Sequence, residues 1–176
     1  PGLKAYFDQW FKGQEALWKN AGAIFERRGV NALLDLCSTA LGPLSKEDVL
    51  ALAPDYFEDS HSLEAVVIAV NRFVIGDGTD ERSYVFSHPR LRDYFADRLT
   101  STELKDWQER FLYYGKEALI ALQDKKLKPD GVSHYIIRYY GVHLSAANVP
   151  VSDLYSMMCE EWLRAWEWVD GTPDGF

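Results

Sequence analysis

The side chains best suited to proton transfer or metal binding are four histidines, His61, His88, His134 and His143. No two of them have the i, i+4 spacing that sets a pair of imidazoles around one zinc ion. His134 and His143 fall on different faces of a helix, so capping or partly exposed roles are the plainer reading. Cys37 and Cys159 lie far apart, with no C-x-x-C and no cysteine–histidine ligand spacing, so no metal site is expected. No serine sits in a nucleophile elbow, and Glu160-Glu161 reads as a solvated face rather than a paired acid and base. The phosphate loop G-x-x-x-x-G-K-[ST] is absent. Gly76 and Gly78 are spaced G-x-G but lack a third glycine and sit among turn-forming residues, which is a hairpin signal. On these residues the chain is not expected to be an enzyme. A pocket built from His134, His143, Tyr139, Tyr140 or the glutamate pair would be needed, and their spacing recommends none of them.

The elements that position these residues read as helices around one hairpin. Leu3, Tyr6, Phe7, Trp10, Phe11, Leu17 and Trp18 recur at helical spacing, one wide apolar stripe. Arg27-Arg28-Gly29 is expected to close this part, glycine suiting the left-handed residue that ends a helix. A second helix is expected over Val30 to Leu41, stopped by Gly42-Pro43. Ser45, with a carboxylate three residues on at Asp48, starts a short helix to about Leu52. His61 to Arg72 reads as a third helix leading into Phe73-Val74-Ile75, residue types that favour strand. The stretch Gly76 to Arg82 turns, Ser83 to Ser87 alternates as a second strand, and Pro89 suits the first turn of the helix that continues to Leu99. Helix–helix–helix–hairpin is the order of a winged helix.

From Thr100 onward the pattern is helical. Thr100 and Glu103 form a capping box ahead of Leu104, Trp107, Phe111, Tyr114, Ala118 and Leu122. Lys125 to Gly131 is a polar break, Tyr135 to Leu144 a helix, and Ser152 is expected to cap one last helix carrying Leu154, Met157, Met158, Trp162 and Trp166. The aromatic run Tyr135, Tyr139 and Tyr140 reads as core and interface. The expected fold is mainly α. It has a helical linker over 1–29, a winged-helix unit with a two-stranded β-hairpin over 30–100, and a helical bundle or array over 101–176.

Composition narrows the partners. The 176 residues are 47% hydrophobic and 14% aromatic, enough for a sizeable core and incompatible with extensive disorder. No apolar run approaches the ~20 residues of a membrane span, no signal peptide is visible, and cysteine usage fits a reducing, cytoplasmic setting. The net charge of −8 divides as +1 over 1–42, −5 over 43–100 and −4 over 101–176. No segment supplies the positive field that attracts a phosphate backbone, so nucleic acid is a poor partner. The third helix agrees: it is mostly apolar, with Asn71 and Arg72 only at its C-terminal end, whereas a base-reading helix carries polar contacts near its N-terminal end. It is expected to pack on more than one side. The chain begins at Pro1 without a methionine and stops shortly after a helix, so it reads as a piece of a longer protein.

The run Tyr84-Val85-Phe86-Ser87-His88-Pro89-Arg90-Leu91-Arg92-Asp93-Tyr94-Phe95-Ala96-Asp97-Arg98-Leu99 resembles the strand-to-helix junction closing the winged-helix domain of STAND-class signal-transduction NTPases, the NACHT and NB-ARC relatives. Leu41-Gly42-Pro43-Leu44-Ser45 with Val49-Leu50 resembles the start of that domain in bacterial members. The likeness covers about residues 30–100. Tyr6 to Trp18 looks like the helical linker after such an ATPase core, and the helices after Thr100 look like the array preceding a sensor region.

The resemblance implies a non-catalytic arm that docks on an upstream ATPase domain and relays to downstream repeat or sensor domains, with ATP or ADP bound by the parent chain. It also implies one site residue, His88, as a sensor of the ADP β-phosphate in that parent chain. Plant-type members carry an acidic residue directly after this histidine, whereas Pro89 follows here. Without the family, a histidine just ahead of a helix sits near unpaired backbone N–H groups and a positive dipole end, which favours an anion. The plainer reading has His88 only capping the helix. The alternative function is a winged-helix DNA-binding transcriptional regulator with a helical dimerisation extension. The acidic hairpin tip, Asp77 to Arg82, argues against it.

Overall fold

The structure, a computed structural model, describes residues 3–20 and 24–172. In order it runs α1 (Leu3–Asn20), α2 (Ile24–Thr39), α3 (Lys46–Leu52), α4 (Ser60–Ala69), β1 (Val74–Ile75), β2 (Val85–Phe86), α5 (Pro89–Ala96), α6 (Ser101–Gln123), a 3-10 turn (Pro129–Gly131), α7 (His134–Ala146), α8 (Val151–Tyr155) and α9 (Glu160–Asp170). The fold is mainly α with one antiparallel hairpin.

At the centre lies α2, which touches α1, α4, α5 and α6. Val30, Leu33, Leu34 and Leu36 are all fully buried, so the helix is apolar on more than one face. It begins at Ile24 and runs through position 29, which corrects the expectation that Gly29 closes a helix. The reason is packing: a Cβ on Gly29 would lie 2.8 Å from Val66 Cγ2 and 3.2 Å from the Phe57 ring. Glycine here lets α2 and α4 approach.

The hairpin pairs Val74 with Phe86 and Ile75 with Val85. Leu44 adds to its edge through two backbone hydrogen bonds with Tyr84, at 3.0 and 2.7 Å. The tip needs glycine at Gly76 and Gly78, whose φ values are +114° and +83°. Behind the hairpin, α1 supplies Phe7 and Phe11 to an aromatic cluster. Phe73 meets Phe7 at 5.7 Å and Trp10 at 4.1 Å, and Phe86 stacks on Phe95 at 5.5 Å. Leu3, Leu17 and Trp18 of the expected stripe lie outside the residues whose side chains are described.

The third helix departs from expectation. It is capped by Asp59, ends at Ala69 rather than Arg72, and buries only Leu63 and Val66. Ala65 is exposed and Ile68 is 70% exposed, so among the described residues α4 packs on one side only. The expectation of packing on more than one side is thereby corrected. Four apolar positions in sequence order do not ensure four inward faces.

The second half is built on α6, whose Trp107, Phe111, Leu119 and Leu122 face α7 and the core. Gly115 leaves room for the Tyr140 ring, which a Cβ would penetrate. The two halves meet at Asp48. Its Oδ2 accepts the Ser45 N–H at 2.9 Å and the Ser45 hydroxyl at 2.8 Å, completing the capping box of α3. Its Oδ1 accepts the Tyr114 hydroxyl from α6 at 3.2 Å and the hydroxyl of Ser133, the N-cap of α7, at 2.5 Å.

The last expected helix is two helices. Ser152 lies inside α8 instead of capping α9, and Cys159 is the N-cap of α9. Ser156 donates its hydroxyl back to the Asp153 carbonyl, a local bond that competes with helix continuation. Met157 then folds toward α7, where Gly141 leaves space for its methyl group.

Candidate functional site

His88 stands where extended backbone becomes helix, with φ −148° and ψ 135°. Its Nδ1 accepts the N–H of Arg90 at 3.1 Å, and its carbonyl accepts the N–H of Leu91 at 3.0 Å. Pro89 has no N–H to offer. The first N–H groups of α5 are therefore taken by His88 itself, which corrects the expectation of unpaired backbone donors at this junction. The capping role is real. It also fixes the tautomer, because an Nδ1 that accepts leaves the neutral ring's proton on Nε2.

That imidazole lines a cavity of about 370 Å³ between α1, the base of the hairpin and α5. Tyr6, Phe7, Trp10 and Phe73 form its aromatic wall, and Arg72, Ser87, His88 and Arg90 form its polar one. Ser87 is held in place by its N–H to the Phe73 carbonyl at 2.7 Å and its hydroxyl to the Arg72 carbonyl at 3.0 Å. No carboxylate lines the cavity. In a chain of net charge −8, Arg72, His88 and Arg90 all contribute to the lining of one aromatic-walled cavity, residue types suited to a phosphate or carboxylate.

Arg90 escaped the sequence reading as a site residue, and Arg72 was weighed only as a groove contact. The available signal was their position on either side of the hairpin, whose closure brings residues 72 and 88 together.

Three residues weighed for a hypothetical enzyme pocket, His143, Glu160 and Tyr140, have partners of their own. His143 is buried, not capping or partly exposed, and this corrects the simpler expectation for it. Its ring stacks on Phe111 at 4.5 Å, and Nε2 lies 2.7 Å from the Tyr135 hydroxyl. Burial pulls its pKa down to about 4. Glu160 points outward to Arg164, and Tyr140 packs on Trp162 at 5.8 Å. Cys37 is buried and its thiol is pushed up to about 12 by desolvation, which keeps it protonated and unreactive.

A second polar cavity, about 270 Å³, lies between α2 and α6 and holds Asp35, Glu103, Asp106, Arg28 and Arg110. Burial and the nearby Glu103 charge push Asp35 up to about 7, against the pull of Arg98. Among the described residues no group of three or more His, Cys, Asp or Glu could hold a metal ion, and no helix is long and apolar enough to cross a membrane. Compared with protein-family models, curated proteins and solved structures, the chain matches none.

Proposed function

We propose that this chain is a non-catalytic regulatory and interaction arm of a larger nucleotide-switched signalling NTPase. In this reading residues 30–100 form a winged-helix unit that docks on an upstream ATPase core, and the helices after Thr100 relay to downstream sensor or effector domains. The observation that carries it is the cavity whose lining includes His88, Arg72 and Arg90 and no carboxylate. A phosphate group of ADP in the parent chain fits that set: His88 would donate from Nε2, and the guanidinium groups would neutralise charge. ADP would then favour one packing of arm against core and ATP another, a two-state switch driven by their differential contacts.

The exposed face of α4 supports protein contact. Ala65 and Ile68 offer apolar surface to a neighbour, and Lys46 beside it is already neutralised by Glu64 at 2.8 Å. That same exposure is the one feature favouring the DNA-binding alternative. A gel-shift with random duplex at two salt concentrations separates them, since duplex binding weakens steeply with salt.

The main test uses the full-length parent protein. His88→Ala is expected to speed ADP release and raise basal output, and Arg72→Ala to do the same more weakly. Unchanged ADP release and output in both variants would remove the sensing role.

A further inference from the structure

We propose that the cavity beside His88 binds a small free aryl phosphate, one aromatic ring carrying a phosphate monoester, on its aromatic and polar walls together. The proposal rests on the reading of this cavity as an anion site, and it gives a role to the aromatic wall that a nucleotide phosphate alone leaves unused. At about 370 Å³ the cavity has the volume of a small-molecule site and ample room for a one-ring ligand.

The polar wall is anchored through its backbone and uncommitted at its side chains. The Arg72 carbonyl accepts the Ser87 hydroxyl at 3.0 Å, and the Arg90 N–H is donated to His88 Nδ1 at 3.1 Å. Both arginines are thereby tied to the cavity rim. Their guanidinium groups make no ion pair or hydrogen bond among the described residues, whereas Arg82, Arg110, Arg138 and Arg164 are each paired with a carboxylate. His88 Nε2 likewise has no partner there. With 27 acidic residues against 19 basic ones, most cations have a carboxylate to meet, and these have none. A phosphate monoester carries about −1.5 to −2 charge and three acceptor oxygens, enough to engage both guanidinium groups and the imidazole.

The aromatic wall is preformed. The Trp10 and Phe73 rings meet edge to face at 4.1 Å, Phe7 lies 5.7 Å from Phe73, and Tyr6 lies 5.7 Å from Phe7. Phe7 and Phe73 are buried, but Trp10 is half-buried and Tyr6 is 62% exposed, so ring surface stays open to a ligand. A planar ring gains contact there beyond the area it buries. A whole nucleotide suits this wall poorly, because its ribose hydroxyls and base amino group need acceptors. The lining supplies no side-chain carboxylate or amide, and the Ser87 hydroxyl is donated to Arg72.

The test titrates the purified chain with phenyl phosphate, inorganic phosphate, phenol, AMP and a phosphotyrosine peptide, read by calorimetry. Phenyl phosphate is expected to bind at least about fivefold more tightly than inorganic phosphate, the increment of one aromatic contact. It should also bind more tightly than phenol or AMP. Tyr6→Ala should remove that increment and leave inorganic phosphate binding unchanged. Arg90→Ala should weaken both anions about tenfold. Because Tyr6 and Arg90 are exposed, circular dichroism should show both variants folded. Equal binding of phenyl phosphate and inorganic phosphate would overturn the proposal and leave the anion reading standing. So would tighter binding of AMP, which would assign the aromatic wall to a nucleotide, or of the peptide, which would assign it to a modified protein segment. If nothing binds, the proposal falls, and ADP release from the His88→Ala parent protein still judges the nucleotide reading by itself.

Discussion

The Tyr135 hydroxyl accepts the backbone N–H of Leu41 at 3.0 Å and lies 2.7 Å from Nε2 of His143, in the buried seam between the two halves of the chain. Burial keeps His143 neutral, and the Tyr135 hydroxyl and Nε2 share one hydrogen bond whose direction follows the imidazole tautomer.

This pair sets an acid limit on stability. The unfolded histidine takes up its proton near the ordinary value of 6.5, and the folded one only near 4. Between those values the unfolded state binds more protons, so stability is complete above 6.5 and falls as pH drops toward 4. The expected loss is about 3 kcal/mol. Urea melts at pH 7.5 and 4.5 should show it, and His143→Gln should flatten the difference while lowering stability at both.

Asp35 acts with the opposite sign. Its folded value of about 7 lies above the ordinary 3.8, so its favourable contribution is present below the ordinary value and lost as pH rises toward 7. Asp35→Asn is expected to leave stability near pH 4 almost unchanged. At pH 8 it should raise it by about 2 kcal/mol, a figure reduced for the partial solvent access of this group. Paired melts of the variant and the parent chain at those two pH values check it. A variant no more stable at pH 8 would show that the carboxylate is relieved by water.

Two capping boxes of the same chemistry should differ in weight. In the exposed one Thr100 and Glu103 satisfy each other at the start of α6. In the buried one Asp48 also holds Tyr114 and Ser133. Glu103→Ala is expected to cost about 1 kcal/mol, the usual value of a cap. Asp48→Ala strands buried donors from three elements and should cost about 3 kcal/mol or more. Equal losses in chemical denaturation would show that Asp48 serves α3 alone.

Features built from residues within four positions of one another were legible in the sequence. The boxes at Ser45/Asp48 and Thr100/Glu103, proline at the first turn of α5, the glycine-bearing hairpin tip and the aromatic spacing of α6 all appear where residue types placed them. His88 was legible as a helix cap for the same reason. Each rests on a hydrogen bond or backbone angle that a short segment makes by itself.

What only the tertiary structure decided depends on contacts from distant elements. Gly29 serves close packing on Val66 and Phe57 rather than a helix end, and His143 is buried by Phe111 and Tyr135. The outer face of α4 is left uncovered by the described residues, and Arg72 joins His88 and Arg90 in one cavity lining only because the hairpin closes. Burial, and with it the pKa of a histidine or the accessibility of an arginine, is a property of the assembled surroundings. Local sequence sets which way a side chain leaves its helix, but the arrival of other elements sets what it meets.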